Sequence, residues 1–187
     1  MTDRDKLASA IASVATLHGE FTLRSGAVSA EYFDKYRFES DPVLLKAIAE
    51  HLAPMIPRET QVLAGLELGG VPIATALALQ SGLHTVFVRK HAKEYGTRQL
   101  AEGLDVLGLH VLVIEDVVTS GGQVVASAND LRALGATVTD ALCVIDRESG
   151  GSAALAAAGI ALRSLFTRTD LTVAASRSVG PGSGQRP

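Results

Sequence analysis

Residues 111–123, Val-Leu-Val-Ile-Glu-Asp-Val-Val-Thr-Ser-Gly-Gly-Gln, lead from an unbroken apolar run through two adjacent carboxylates into a turn of hydroxyls and glycines. A short β-branched run without polar alternation is a strand covered on both faces, which places it centrally in a parallel sheet. Glu115 and Asp116 then fall at the carboxyl end of that strand, where open α/β sheets bind their ligands. Side chains alternate along a strand, so at least one of the two faces the crevice. Paired carboxylates accept hydrogen bonds from the vicinal hydroxyls of a sugar, directly or through a metal-bound water. Thr119, Ser120, Gly121 and Gly122 let backbone N–H groups converge on an anion at the next helix start, where the dipole adds roughly 0.3–1 kcal/mol. Taken alone, the same residues also suit an ordinary strand-turn-helix with an acidic rim and a Thr or Ser cap.

The rest of the chain repeats the alternation. Residues 3–18 predict a helix with Leu7, Ile11, Val14 and Leu17 on one stripe. Strand and turn signals follow through Phe21-Thr-Leu23, Arg24-Ser-Gly26 and an aromatic run to Phe38, which gives a small N-terminal subdomain. Ser40-Asp41-Pro42 starts a helix with Leu44, Leu45, Ile48 and Leu52 on its apolar face. Strands are expected near 61–66, 84–88, 110–115, 137–145 and 160–165, and helices near 71–81, 121–134, 150–158 and 169–175, with Gly135 and Gly159 closing two of them. The fold class is therefore α/β, a mostly parallel central sheet flanked by helices. The organisation is an N-terminal helix and hood over 1–40, an α/β core over 41–175 and a flexible tail over 176–187, within one structural domain.

Composition narrows the function classes. A length of 187 residues supports one domain with a substantial core. The net charge of −3 offers no broad basic field for nucleic acid. No apolar stretch reaches the length of a membrane helix and the N-terminus has no secretory pattern, so the expected location is the cytoplasm. The single Cys143 excludes an intrachain disulfide and lies in an apolar run, as a buried strand thiol would. The histidines, at 18, 51, 84, 91 and 110, have no metal-ligand spacing.

Two further segments carry charge or backbone chemistry. In Gly65-Leu-Glu-Leu-Gly-Gly-Val-Pro72 an apolar strand ends in a paired-glycine turn, where glycines permit unusual backbone angles and close approach to an anion. A plain strand-to-helix turn reads the same way. Between Val88 and Gly103, Arg89, Lys90, Lys93 and Arg98 concentrate positive charge in an otherwise acidic chain. Such a loop is either a solvated surface or a lid that neutralises a polyanion.

Residues 111–123 resemble the 5-phosphoribosyl-1-pyrophosphate (PRPP) motif of the type I phosphoribosyltransferases. The resemblance implies that Glu115 and Asp116 hold the ribose hydroxyls and that Val117 and Thr119 to Gly122 surround the 5′-phosphate. It also implies that the Glu67-Leu68-Gly69 turn holds pyrophosphate, with Leu68, where many relatives carry lysine, contributing only backbone. Arg89-Lys90-His-Ala-Lys93-Glu-Tyr95-Gly is similar to the catalytic loop of orotate phosphoribosyltransferases, with Tyr95 in the usual place of histidine. Phe21-Thr-Leu-Arg24-Ser-Gly, with Ser29, Tyr32, Phe33, Asp34 and Lys35, resembles that family's hood over the pyrimidine, and Asp146-Arg147-Glu148 its orotate-contacting Asp-Arg-x-Glu.

What this resemblance implies is the type I phosphoribosyltransferase fold and transfer of phosphoribose from PRPP to orotate. Lys93, Lys90, Arg89 and Asp116 are then catalytic, while Glu115, Glu67, Gly69 and Tyr95 join them around PRPP. Arg24, Phe33, Thr119 and Arg147 would contact orotate, whose carboxylate and carbonyls match a forked guanidinium. Mg²⁺ is the implied cofactor, held mainly by PRPP with Glu115 and Asp116 nearby. The implied assembly is a homodimer in which loop 89–103 reaches the neighbouring site. A phosphoribosyltransferase for another base and a non-catalytic PRPP-sensing or RNA-binding regulator remain as alternatives.

Overall fold

The computed structural model describes residues 2–22, 26–90 and 100–178. Helix α1 (Asp3–Ala15) is capped by Thr2 in a reciprocal capping box with Asp5. It ends three residues before the expected 18, because Thr16 and Leu17 pair with Phe33 and Tyr32 instead. The strands concerned are β1 (Thr16–Thr22) and β2 (Val28–Phe33), an antiparallel pair. The short α2 (Tyr36–Glu39) buries Phe38 and Glu39, and α3 (Pro42–Leu52) follows with Asp41 accepting from the Val43 and Leu44 N–H groups.

The core alternates as the sequence suggests: β3 (Val62–Leu66), α4 (Gly70–Ser81), β4 (His84–Val88), β5 (Ala101–Glu102), β6 (Val111–Val118), α5 (Gly122–Ala133), β7 (Asp140–Asp146), α6 (Gly151–Ala157), β8 (Ala161–Thr167) and α7 (Arg168–Ser178). The sheet order is β5-β4-β3-β6-β7-β8, parallel except for the short edge strand β5. Gly135 and Gly159 take φ of +88° and +70° just past α5 and α6, as expected of helix ends. Helix α7 runs through Ser176 to Ser178, so that part of the expected tail is helical. Cys143 is a buried free thiol on β7, its acidity suppressed by burial.

Two apolar layers cover the sheet. Leu112 and Ile114 of β6 face one with α1, α3, α4 and α7, while Val111 and Val113 face the other, with Val124 and Leu131 of α5 and Leu155 of α6. Strand β6 continues three residues beyond the expected 115, because Val117 and Val118 still pair with Ile145 and Asp146 of β7. The chain leaves β3 toward β4 on one side and β6 toward β7 on the other. Their adjacent carboxyl ends form the switch point at which doubly wound sheets open a crevice. Among the described residues, no helix is long and apolar enough to cross a membrane.

Candidate active site

Both anion-turn candidates arrive at that switch point. From β6 the chain passes Glu115 and Asp116 into Thr119 and Ser120, which are exposed, and Gly121, which takes φ +78° at the start of α5. A side chain at Gly121 would meet Leu155 at 2.4 Å and the Gly151 carbonyl at 3.0 Å, so the turn demands glycine twice over. No side chain caps α5, which leaves its first N–H groups aimed outward for an anion.

From β3 the chain enters Glu67-Leu68-Gly69-Gly70, whose Glu67–Leu68 peptide is cis. Neither glycine adopts positive φ, so unusual backbone angles are not what requires them. A Cβ on Gly69 would fall 1.7 Å from Asp116 Oδ2, and one on Gly70 would fall 2.3 Å from the Ile114 carbonyl oxygen. Close approach to β6 is what excludes larger residues here. Leu68 is exposed, so its side chain takes no part in that packing.

The two carboxylates differ. Both lie inside β6 rather than at its end, on opposite faces, and Asp116 is 0% exposed against 8% for Glu115. Asp116 Oδ2 lies 2.5 Å from Lys35 Nζ, and Oδ1 accepts from the Val117 N–H. Glu39 reaches the same cluster from α2. Burial, then the neighbouring Asp116, pushes the Glu39 carboxyl up to about 9, and the same causes hold Glu115 well above the carboxylate range. Asp116 is held low: burial opposes its ionisation, but hydrogen bonds with Glu115, Glu39 and Lys35 prevail. Beside Asp116 Oδ2, which faces Lys35, Glu39 Oε1 is buried without a hydrogen-bond partner among the described residues, and a proton kept on Glu39 can bridge the two carboxylates.

Of the cationic residues, Arg24, Lys93, Tyr95 and Arg98 lie outside the described residues. Arg89 closes the loop base, its Nε 3.6 Å from Glu102 Oε1 and its N–H bonded to the Leu100 carbonyl. The Lys90 N–H donates to Glu67 Oε2 at 3.1 Å, which joins the cationic segment to the β3 turn.

At the end of β7, Arg147 sits with its guanidinium carbon 5.8 Å from the Phe33 ring centroid, within cation–π range. Its neighbours do not neutralise it. Asp146 accepts from the Glu148 N–H, and Glu148, with φ +54°, holds the Thr169 N–H and hydroxyl. Beside this pair opens a cavity of about 860 Å³ between Ser13 and Thr16, the hood residues Ser29 and Glu31, and Leu171 of α7. Thr119 is absent from that lining.

Sequence reasoning missed Lys35, Glu39 and Glu102 as members of the site. Lys35 stands in the hood segment that carried the resemblance, but nothing local distinguishes it from a solvated lysine. Glu39 gives only the faint signal of a carboxylate adjoining a buried aromatic.

A phosphoribosyl transferase domain model matches residues 42–158. The orotate phosphoribosyltransferase of a Nocardioides species is 49% identical, over 93% of this chain and 97% of its own. Among solved structures, the Mycobacterium tuberculosis orotate phosphoribosyltransferase in complex with Fe(III) dicitrate superposes with a TM-score of 0.84 at 32% identity, over 91% of this chain and 99% of that one. The same enzyme in complex with PRPP gives 0.79 at 29% identity, over the same shares.

Proposed function

Because the chain belongs to the orotate phosphoribosyltransferases, with the type I phosphoribosyltransferase fold, we infer that its own residues divide the reaction between two halves of one crevice. The reaction transfers phosphoribose from PRPP to orotate, giving orotidine 5′-monophosphate and pyrophosphate in pyrimidine biosynthesis. The observation that carries the division is the meeting of the β3 and β6 turns at the sheet's switch point, with Arg147, which forms no ion pair among the described residues, next door.

On this reading Thr119, Ser120, Gly121 and Gly122, with Val117 behind them, hold the 5′-phosphate at the uncapped start of α5. Glu115, backed by Asp116, positions the ribose. Backbone groups of Glu67, Leu68 and Gly69 hold the pyrophosphate, while Arg89, Lys90, Lys93 and Tyr95 close over it. The bond from ribose C1 to pyrophosphate loosens, positive charge develops on the sugar, and an orotate ring nitrogen captures it. Little covalent work is asked of the protein, so positioning and charge neutralisation supply the rate. Arg24 and Arg147 receive orotate's carboxylate and carbonyls, Phe33 covers its ring, and Thr119 lies between base and ribose.

Mg²⁺ supplies charge neutralisation on the phosphates when bound. The described residues fit a minor share in holding it: no metal-binding cluster occurs among them and Lys35 already occupies Asp116. PRPP would therefore carry most of the ion's coordination, with Glu115 and Asp116 the carboxylates that could assist. Val43, Leu68, Leu79 and Phe87 are exposed on or beside α3, α4 and β4, which pack on one another, and this supports a homodimer with loop 89–103 acting across it. We place the protein in the cytoplasm.

A panel of bases offered with PRPP and Mg²⁺ tests the assignment, since orotate absorbance falls on turnover. Turnover of orotate alone is expected; turnover of a purine or uracil, or binding of PRPP without turnover, would refute it. Lys93→Ala should lower kcat on the order of a hundredfold. A change in KM alone would remove Lys93 from the leaving-group role.

A further inference from the structure

Strands β7 and β8 are parallel, with Asp146 paired to Thr167, so the residues that follow them, Arg147 and Arg168, leave the sheet side by side. Both line the cavity of about 860 Å³, a volume typical of a small-molecule site. Arg168 opens α7, which Leu171 and Ala174 anchor in the core, so a packed element rather than a loop carries its guanidinium. Its acidic neighbours are committed elsewhere. Asp170 accepts from the Arg4 guanidinium and the Thr167 N–H, and Glu148 accepts from the Thr169 N–H and hydroxyl. The Thr169 hydrogen bonds, and behind them the Arg168 charge, hold the Glu148 carboxyl below its usual range, yet Arg168 forms no ion pair among the described residues. Glu31 is the one acid among the described residues of the lining, and it faces His18 across the hairpin, with Nδ1 3.3 Å from its Oε1. The cavity wall is thus cationic in a chain whose net charge is −3.

Granting the function above, we propose that Arg168 is a specificity-determining residue whose guanidinium receives the carboxylate of orotate together with Arg147. Orotate differs from uracil by that carboxylate alone, so the group that meets it decides between the two bases. Neighbouring strands lie roughly 4.8 Å apart, which lets two arginines from paired positions reach one carboxylate. Each fork matches the two oxygens of such an anion. Arg147 already lies over the Phe33 ring, on the side where a base would stack, and Arg168 extends the cationic wall away from it. Two neighbouring guanidiniums repel until an anion joins them. An anionic base relieves that repulsion and a neutral one does not, so the pair selects against uracil as well as for orotate.

Steady-state kinetics of the full-length wild type, Arg168→Met and Arg168→Lys, with orotate and PRPP varied in turn, test the role. Arg168→Met should raise the orotate KM about tenfold and leave kcat and the PRPP KM within about twofold, the pattern of lost ground-state binding. Arg168→Lys keeps the charge without the fork and should fall between the two. Because Arg168 is exposed, neither substitution disturbs the core. Orotamide, the neutral carboxamide of orotate, serves as a competitor that separates recognition from mere support of the cavity wall. Its inhibition constant should be unchanged in Arg168→Met, so that the preference for orotate over orotamide narrows by about tenfold. An orotate KM that does not move, a PRPP KM that rises in step with it, or an equal loss for orotate and orotamide overturns the proposal. Absence of orotate turnover in the wild type would instead sink the function on which this assignment rests.

Discussion

Strand β6 buries every residue from Val111 to Asp116, whereas β2 of the hood leaves four of its six residues exposed. The two are held by different means. Strand β6 is hydrogen-bonded on both sides, to β3 and β7, and packed on both faces. The hood is a two-stranded antiparallel ribbon, an arrangement with little stability of its own. It is fixed by Phe38, Glu39 and the Lys35–Asp116 pair, together with the pairing of β1 and β2. A phosphate cradle gains from rigidity, since its donors must be aimed before the anion arrives. A cover over a base must admit and release it, which suits the less stable region.

The strongest way to break this contrast is to disturb the rigid half. Gly121→Val places a branched side chain at φ +78° against Leu155 and the Gly151 carbonyl, combining backbone strain with overlap. Loss of kcat/KM for PRPP by about a hundredfold or more is expected, with a lower Tm. Near-normal kinetics would mean that the cradle is not preorganised. On the hood side, Arg147→Met should raise the orotate KM about tenfold or more and leave the PRPP KM little changed, because it removes the guanidinium proposed to receive the base. Equal effects on both substrates would show that the two halves do not bind separately.

A pH-dependent effect concerns the seam between them. Glu39 is pushed up to about 9 in the folded protein, above its value in the unfolded chain. Its contribution is therefore complete at low pH and is lost as pH rises toward about 9, since the unfolded chain releases the proton first. Glu39→Gln keeps the shape without the proton, so its stability relative to wild type should increase from pH 5 to 9, by at most about tenfold in the folding constant per pH unit. Denaturant midpoints across that range measure it; a constant difference would remove Glu39 from the buried cluster.

The strand β4 was legible to the residue, and β3, β6 and α5 to within a few, because each is a short apolar run or helical stripe bounded by glycine or a turn. The glycines at 135 and 159 were legible for the same local reason. The end of α1 was not: Leu17 continues a helical stripe, but pairing with Tyr32 across the hairpin outweighs it. The paired glycines at 69 and 70 were located correctly, but the close approach to β6 that also requires them was not legible, because it involves residues more than forty positions away. Arg147 was legible as a charge after a strand. That its acidic neighbours are engaged elsewhere was not, since Thr169 comes from a different element.

By itself, then, the sequence determined the parallel sheet, the two glycine turns at its strand ends and the family, because strand periodicity, glycine chemistry and motif order are properties of contiguous residues. Tertiary structure alone decided that both carboxylates of β6 are buried, and that Lys35 and Glu39 share the site of Asp116. A buried charge is settled by what surrounds it in three dimensions, and its partners here come from a hood some eighty residues earlier in the chain.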